Sequence, residues 1–205
     1  MPPTSLRRAS EEIARRSPEM ARLLAIHGPC RLGTKPKRHE RFASIARAIV
    51  YQQLAGAAAG AIWERVRQGL SGDCTAAGIL EAGPEALRAA GLSAAKTAAM
   101  MDLAERDLSG TLGLAGLGHL GDEEVVTRLT QVTGIGPWTA HMFLMFTLHR
   151  LDVWPVGDLG VRKGYALAFA LPAVPASADL IELGEAFRPY RSVAAWYCWR
   201  ACERA

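Results

Sequence analysis

Hydrophobic residues recur at helical spacing along almost the whole chain. Between Arg41 and Leu54 the apolar side chains fall three or four positions apart, which is the pattern of a helix with one buried face. They are Phe42, Ile45, Ala46, Ile49 and Val50. No segment alternates apolar and polar residues as a half-buried strand does, and no repeat of fixed period occurs. The pattern predicts an all-α fold.

Residues that favour helix starts and helix ends divide this pattern into elements. The predicted starts are at Ser93, Asp122 and Pro84, since these residue types suit the first turn of a helix. The predicted ends are at the glycines Gly69, Gly72, Gly91, Gly110 and Gly121. Later helices are predicted for Glu123–Gln131, Trp138–His149 and Leu159–Phe169, and the small-residue run Ala55–Ala61 predicts a closely packed helix.

The segment L-T-Q-V-T-G-I-G-P-W-T-A, which begins at Leu129, joins two of these helices through Gly134 and Gly136. Two glycines around one apolar residue predict a tight turn whose main chain can approach another molecule closely. The amides after the turn open a helix, and a helix N-terminus attracts anions such as a DNA phosphate.

A single carboxylate, Asp158, follows Gly136 by 22 residues and lies in its own glycine-framed turn. One interpretation is that Asp158 caps the next predicted helix, a common role for Asp. The other is that a phosphate-binding turn followed by an acid performs chemistry on a nucleotide. The residues alone leave both interpretations open.

Composition narrows the class of protein without choosing a function. The 205 residues suit one domain or a compact two-lobed unit, and a hydrophobic content of 50% indicates a folded chain. The excess of 24 basic over 20 acidic residues permits a nucleic-acid partner, although many enzymes are equally basic. No apolar run approaches the ~20 residues that span a bilayer, and none follows the basic N-terminus, so we expect a cytoplasmic protein with no membrane partner.

The cysteines and histidines suggest neither a disulfide scaffold nor a catalytic zinc. The four cysteines are Cys30, Cys74, Cys198 and Cys202. They are few and scattered, and the interpretation we favour is small buried hydrophobes. The histidines show no metal-ligand spacing; they are His27, His39, His119, His141 and His149.

Three further segments accompany the hairpin: A-R-A-I-V-Y-Q-Q-L-A from Ala46, G-L-S-A-A-K from Gly91, and F-R-P-Y-R-S-V-A-A-W-Y-C-W-R from Phe187. In this order the four segments resemble the helix-hairpin-helix DNA glycosylases, and among them the alkylation-repair branch, 3-methyladenine DNA glycosylase II. A lone G-I-G turn is less specific, because such hairpins also occur in ligases, polymerases and helicases. The resemblance covers roughly residues 25 to 204.

The resemblance implies two helical lobes with a DNA and active-site cleft between them. One lobe is a middle bundle of residues 37–150 that ends in the hairpin, and the other combines residues 1–36 and 151–205. It also implies a monomer that binds double-stranded DNA containing alkylated bases, nucleoid-associated if the source is bacterial. Relatives often carry an N-terminal β-rich domain, and we expect a minimal form without it.

By the same resemblance, Asp158 is the catalytic carboxylate and Asp152 matches a structural position. A carboxylate beside the sugar stabilises the positive charge that develops as the glycosidic bond breaks. Bifunctional relatives carry a nucleophilic lysine after the hairpin, and Trp138 stands in its place here, while Lys163 matches a solvated or phosphate-contacting residue. A monofunctional enzyme is therefore implied.

The resemblance assigns Trp138 and Trp199 to the lesion pocket, where an indole face can stack on a cationic purine. Met142 falls where a better-known relative has an aromatic residue, which leaves the range of bases open. Each tryptophan could instead be a core aromatic, and that is the interpretation we keep for Trp196 and Tyr197.

Gln52 and Gln53 interrupt an otherwise apolar helix end. Buried glutamine is costly without partners, so a surface or functional position is expected. The resemblance places the pair at the gap left by the extruded nucleotide, with Gln53 as the residue that fills it. The alternative is a solvated helix end.

The resemblance also assigns the contacts of the hairpin. The amides of Gly134 and Gly136, with the hydroxyl of Thr139, are expected to bind DNA phosphate without reading bases. Main-chain carbonyls of Thr130, Val132 and Gly134 are expected to hold a monovalent Na⁺ or K⁺. Some relatives bind an iron–sulfur cluster through four nearby cysteines, and only two lie together here, so no cluster and no other cofactor are expected.

The leading hypothesis is a monofunctional DNA glycosylase that hydrolyses the N-glycosidic bond of alkylated purines in base excision repair. One alternative is a bifunctional glycosylase/lyase for oxidised bases, against which the missing lysine argues. The other is a non-catalytic DNA-binding module that keeps the hairpin, against which Asp158, Trp138 and Trp199 argue together.

Overall fold

A computed structural model describes residues 6–33, 36–54, 56–70 and 73–203. Over these ranges the chain forms α-helices, short 3₁₀ helices and connecting turns, and contains no β-strand. The all-α prediction is confirmed. None of the helices in these ranges is long and apolar enough to cross a membrane.

Eleven α-helices follow one another in the described part of the chain. They are α1 Leu6–Arg16, α2 Pro18–His27, α3 Arg41–Tyr51, α4 Gly56–Gly69, α5 Ala76–Ala89, α6 Ala94–Leu108, α7 Asp122–Leu129, α8 Pro137–Phe146, α9 Leu159–Ala168, α10 Ser177–Leu183 and α11 Arg191–Cys202. Single 3₁₀ turns lie at Arg38–Glu40, Leu117–His119 and Glu185–Phe187.

Most predicted helix boundaries agree with local capping. The Ser93 hydroxyl accepts a hydrogen bond from the Lys96 amide and begins α6. Pro84 begins the second half of α5, because Gly83, at φ 73°, interrupts the helix there. The start predicted at Asp122 is confirmed, since Asp122 is the first residue of α7. The helix end predicted at Gly121 was wrong, because Gly121 is the N-cap of α7.

Other boundaries differ by a few residues. The helix predicted to run to Leu54 ends at Tyr51, because the backbone leaves helical geometry at Gln52, with ψ 130°, and continues through a left-handed Gln53 with φ 55°. The small-residue helix is α4 and begins at Gly56. Two of the sequence predictions, which concern Ala55 and Gly72, fall outside the described residues.

The chain divides into two compact units, one discontinuous (Met1–Thr34 with His149–Ala205) and one continuous (Lys35–Leu148). The continuous unit contains α3 to α8 and has an aliphatic core. Fully buried members of that core include Ile45, Ile49, Ile79, Leu87, Met100 and Leu103.

The discontinuous unit contains α1, α2 and α9 to α11, and aromatic rings fill much of its core. Trp154 and Tyr165 meet edge to face at 6.5 Å, and Tyr165 stacks on Phe169 at 4.3 Å. As predicted, Trp196 and Tyr197 are buried. Helices α9 and α11 cross so closely that a Cβ at Gly164 would collide with the Cys198 carbonyl group. That crossing decides which α11 side chains reach the start of α9.

Candidate active site

Asp158 is the N-cap of α9, and its side chain is 9% exposed. Its Oδ1 accepts a hydrogen bond from the Val161 amide at 2.8 Å. The Asp158 amide donates to the Pro155 carbonyl at 2.9 Å, so the preceding turn is closed as well. The capping interpretation therefore holds, and it leaves a carboxylate in a restrained, largely desolvated position where its charge acts strongly.

A second donor reaches the same carboxylate oxygen from another helix. The indole N–H of Trp199, on α11, donates to Asp158 Oδ1 at 2.9 Å. Trp199 is only partly buried, unlike its neighbours Trp196 and Tyr197. Trp199 is therefore not simply a core aromatic. The structure brings Asp158 and Trp199 together, and we call them, with Gly160 and Val161, the carboxylate site.

The competing carboxylate, Asp152, has different surroundings. Its Oδ1 accepts from Arg191 Nε at 2.8 Å, and its Oδ2 accepts from Arg188 Nη1 at 2.8 Å. Two guanidinium groups thus neutralise Asp152 and tie the start of α11 to the chain before α9. The Val161 amide and the Trp199 indole are neutral N–H donors, and donors of this kind orient the Asp158 carboxylate without cancelling its charge.

The hairpin, residues 130–139, lies in the continuous unit and comprises the turn after α7 and the first three residues of α8. Gly134 has φ 75°, a conformation that side-chain-bearing residues rarely adopt, and Ile135 is buried between two exposed glycines. Gly136 is the N-cap of α8, and Pro137 follows at the first helical position. The hairpin therefore presents exposed main chain at the positive end of a helix dipole.

Two side chains support the hairpin from within the same unit. Gln52 Nε2 donates to the Gly134 carbonyl at 3.1 Å and to the Thr139 hydroxyl at 3.0 Å. Asp102 Oδ2 accepts from the Thr133 amide at 2.7 Å, and Asp102 Oδ1 pairs with Arg106 Nε at 2.7 Å. These bonds fix the hairpin on both sides of the Gly134 turn.

A family model described as HhH-GPD superfamily base excision DNA repair protein matches residues 46–188, a range that contains both the hairpin and Asp158. The chain belongs to the HhH-GPD superfamily. DNA-3-methyladenine glycosylase 1 of Schizosaccharomyces pombe is 34% identical over 206 residues, which cover 98% of this chain and 90% of the relative.

Solved structures of HhH-GPD relatives agree with this membership. The 3-methyladenine DNA glycosylase Mag1 of S. pombe, solved in complex with abasic DNA, matches with a TM-score of 0.84 and 34% identity, covering 94% of this chain and 95% of that chain. A DNA-3-methyladenine glycosidase from Bacillus halodurans matches with a TM-score of 0.82 and 35% identity, covering 94% and 88%. The chain thus lies in the alkylation-repair branch of the superfamily.

In this HhH-GPD chain Trp138 is the second residue of α8 and is 42% exposed, while Met142 lies one turn later and is partly buried. The two side chains therefore share one face of the helix. Gln53 is exposed in the strained backbone turn after α3. An exposed aromatic ring and an exposed, strained glutamine are features found at ligand-binding surfaces.

Gln52 and Thr139 differ from the simple expectation for HhH-GPD proteins. The Thr139 side chain is 4% exposed, and its hydroxyl accepts the Gln52 amide. This burial weighs against a direct contact between that hydroxyl and phosphate. Gln52 points its amide into the hairpin, so its contacts favour support of the turn over contact with a nucleotide gap.

Two of the three carbonyls expected to hold a monovalent cation also accept hydrogen bonds within the hairpin and its support. The Val132 carbonyl accepts from the Ile135 amide at 3.0 Å, and the Gly134 carbonyl accepts from Gln52. Because a carbonyl oxygen has two lone pairs, each can still act as a ligand, and with Thr130 the three neutral oxygens suit Na⁺ or K⁺. Elsewhere in the described ranges, no group of three or more His, Cys, Asp or Glu side chains is arranged to hold a metal.

The cysteines are free thiols. Burial raises the pKa of both Cys30 and Cys74 to about 12, and it also raises the pKa of Cys198. These thiols are protonated at neutral pH and behave as small hydrophobic side chains.

Sequence reasoning missed three residues of these two regions. Asp102 lies 31 positions before Thr133, and nothing local to Asp102 signals that contact. Lys96 stands in the G-L-S-A-A-K segment, yet its role becomes visible only in the fold: its Nζ donates to the carbonyls of Val50 and Gln52, both at 2.8 Å. Gly160 was not identified from the sequence, because only the fold shows that Trp199 lies against it.

Proposed function

We propose that this protein is a monofunctional DNA N-glycosylase that hydrolyses the glycosidic bond of alkylated purines of the 3-methyladenine type. The observation that carries the proposal is the Asp158 carboxylate, held on one oxygen by two neutral donors at 2.8 and 2.9 Å. The names of relatives that align over nearly the whole chain support alkylated purines as the substrate class.

In the proposed reaction the bond between C1′ and the base nitrogen breaks and leaves positive charge on the deoxyribose. The Asp158 carboxylate stabilises that charge and orients the attacking water. The water oxygen bonds to C1′, and its proton goes to the departing base or to solvent. An alkylated purine is already cationic, so it leaves more readily than an intact base and needs less help from an acid.

DNA binding in this proposal rests on the hairpin. Phosphate lies against the exposed amides of Gly134 and Gly136, which bind the backbone that all DNA shares. Na⁺ or K⁺ on the carbonyls of Thr130, Val132 and Gly134 would add positive charge there. The exposed indole of Trp138 is a stacking surface for the cationic purine, with Met142 beside it, and Gln53 fills the space left by the extruded nucleotide. Trp199, on α11 of the other unit, is proposed separately as an aromatic residue that contacts the base.

The monofunctional assignment rests on the absence of an amine where lyases carry one. Trp138 follows the hairpin, and an indole cannot form a Schiff base with the sugar. Lys96 is bonded to two carbonyls, and partial burial lowers its pKa. Lys163 is exposed on α9.

The decisive experiment incubates the protein with methylated duplex DNA and measures released bases by mass spectrometry. A duplex carrying one defined lesion is then analysed for strand breaks before and after alkali. We expect free 3-methyladenine and breaks only after alkali. Strand breaks before alkali, together with a covalent adduct trapped by borohydride, would show that the protein is a glycosylase/lyase. Binding to DNA without base release would show that it is a non-catalytic DNA-binding module.

A further inference from the structure

We propose that Trp199 and Gly160 act together to position the Asp158 carboxylate, Trp199 as a hydrogen-bond donor and Gly160 as the space that donor needs. The inference rests on the proposed function, because it concerns the geometry of the proposed catalytic acid. It gives the edge of the Trp199 ring a role separate from any stacking by its face.

The first observation is that two donors converge on one oxygen. The Val161 amide and the Trp199 indole N–H both bond to Asp158 Oδ1. A single hydrogen bond restrains the rotation of the carboxylate less than two bonds do. Two bonds from different directions fix the carboxylate plane, and with it the direction in which Oδ2 points.

The second observation concerns what a side chain at Gly160 would meet. A Cβ there would lie 2.9 Å from Trp199 Cδ1, 3.1 Å from Trp199 Nε1 and 3.0 Å from Asp158 Oδ1. All three distances are shorter than an ordinary van der Waals contact. Trp199 and Asp158 therefore occupy the space that the Cβ of any other residue at position 160 would need.

The third observation explains how a residue 41 positions away reaches the start of α9. Gly164, one turn after Gly160, lets the backbone of α11 approach α9 at Cys198. Trp199 is the next residue on α11. Gly164 thus allows the short distance between α9 and α11, and Gly160 leaves room for the Trp199 ring, which lies against α9 because of that short distance.

Trp199→Phe tests the donor, since it removes the N–H and keeps an aromatic ring. We expect the single-turnover rate of base release to fall about 10- to 100-fold, the range for loss of a hydrogen bond to a charged group. The Kd for a duplex with an abasic analogue should stay within about twofold. A positioning role slows the chemical step without weakening binding, whereas loss of a stacking platform weakens both.

Trp154→Phe is the matched control. The Trp154 indole N–H also donates to a buried oxygen, the Leu180 carbonyl at 2.7 Å, in the same unit. The control loses a comparable bond and a comparable ring, so a similar fall in Tm is expected with the rate retained below the transition. Equal loss of rate in both variants would mean that Trp199 acts only through stability, and would overturn the proposal.

Gly160→Ala tests the space, with Gly157→Ala as its control, because a Cβ at Gly157 meets nothing within 4 Å. The added methyl at Gly160 should displace the ring and slow base release about 100-fold, the effect of a shift of about 1 Å in a reacting group. Gly157→Ala should keep the wild-type rate. Wild-type activity in a folded Gly160→Ala variant would contradict the proposed role of Gly160.

A spectroscopic readout separates this inference from the proposed function. The indole ¹H–¹⁵N resonance of Trp199, identified by its loss in Trp199→Phe, should move in both Asp158→Asn and Gly160→Ala. It should stay in place in Gly157→Ala. If the Trp199 resonance does not shift in Asp158→Asn, the proposed hydrogen bond is refuted, even if the enzyme is active. Absence of base release by the wild type, with the resonance shift present, overturns the proposed function and leaves the bond.

Discussion

The hairpin presents main-chain groups from one contiguous segment, whereas the carboxylate site joins side chains that are 41 positions apart. In the hairpin, the glycines create the conformation and the amides make the proposed contact. In the carboxylate site, α9 and α11 must cross at a particular distance before Asp158 and Trp199 can meet. One region depends on local backbone conformation, and the other depends on helix packing.

The hairpin and the carboxylate site should respond differently to substitution. Substitutions in the hairpin should alter binding to all DNA, because phosphate is common to every sequence. Substitutions in the carboxylate site should alter the rate of base release and leave binding in place. The comparison therefore predicts two separable sets of variants.

The largest effect is expected for Asp158→Asn, which removes charge at nearly constant shape. Base release should fall about 10²–10⁴-fold, the usual contribution of a positioned acid–base group, with DNA affinity nearly unchanged. Single-turnover kinetics and a binding titration measure the two quantities. Asp152→Asn is the control: it loses ion pairs with Arg188 and Arg191, so Tm should fall while the folded enzyme stays active. Near-normal base release by Asp158→Asn would contradict the proposed catalytic role of Asp158.

Gly164→Ala should have the next largest effect, on stability. The added methyl collides with the backbone at Cys198, which cannot move as a side-chain tip could. Overpacking of this kind costs about 1–3 kcal/mol, which corresponds to a fall in Tm of roughly 2–12 °C for a chain of this size. Thermal unfolding followed by circular dichroism measures it. If Tm were unchanged, the close crossing of α9 and α11 would not be a constraint on this unit.

Gly136→Ala should weaken the affinity for lesion-containing and undamaged duplexes equally, because the added methyl keeps phosphate from approaching the amide closely. The expected loss is about tenfold, the value for one hydrogen bond to a charged group. The variant should fold normally, since a Cβ at Gly136 meets nothing within 4 Å and φ is −96°. Gly121→Ala is the matched control, because Gly121 is also a helix N-cap with open space around it. Equal affinities of both variants for DNA would argue against phosphate binding at the hairpin.

The smallest effect is expected for Asp102→Asn. Partial burial alone would raise the pKa of Asp102, but hydrogen bonds from Thr133 and Arg106 outweigh burial and hold the pKa below its ordinary value of 3.8. A lowered pKa means that the carboxylate stabilises the fold above about pH 4 and that this contribution is lost as the pH falls further. Because Asp102 is partly exposed, the contribution is less than about 1 kcal/mol.

Hydrogen exchange at the Thr133 amide provides the measurement. Exchange should be faster in Asp102→Asn than in the wild type at neutral pH. The difference should narrow only as the pH falls through the lowered pKa of Asp102, below 3.8, because the wild-type carboxylate becomes protonated there as well. A constant difference between the two proteins across that range would show that Asp102 supports the hairpin without its charge.

The sequence by itself determined the local features of this protein. Helical periodicity predicted α3, and the cap at Ser93 and the proline at Pro84 predicted where helices begin. The hairpin was predictable because its glycines, its apolar residue and the following helix lie within a few positions. Asp158 was predictable as a helix N-cap for the same reason. Each signal concerns one turn of backbone, whose energy depends mainly on neighbouring residues.

Only the tertiary structure decided which distant side chains meet. The sequence left open whether Trp199 lies in the pocket or in the core, and only the helix crossing at Gly164 brought its N–H against Asp158. Asp102 and Gln52 gained their roles in the same way, since their contacts with the hairpin span 31 and 82 positions. Such contacts depend on the distance and angle at which helices pack, and these depend on side chains from several segments at once.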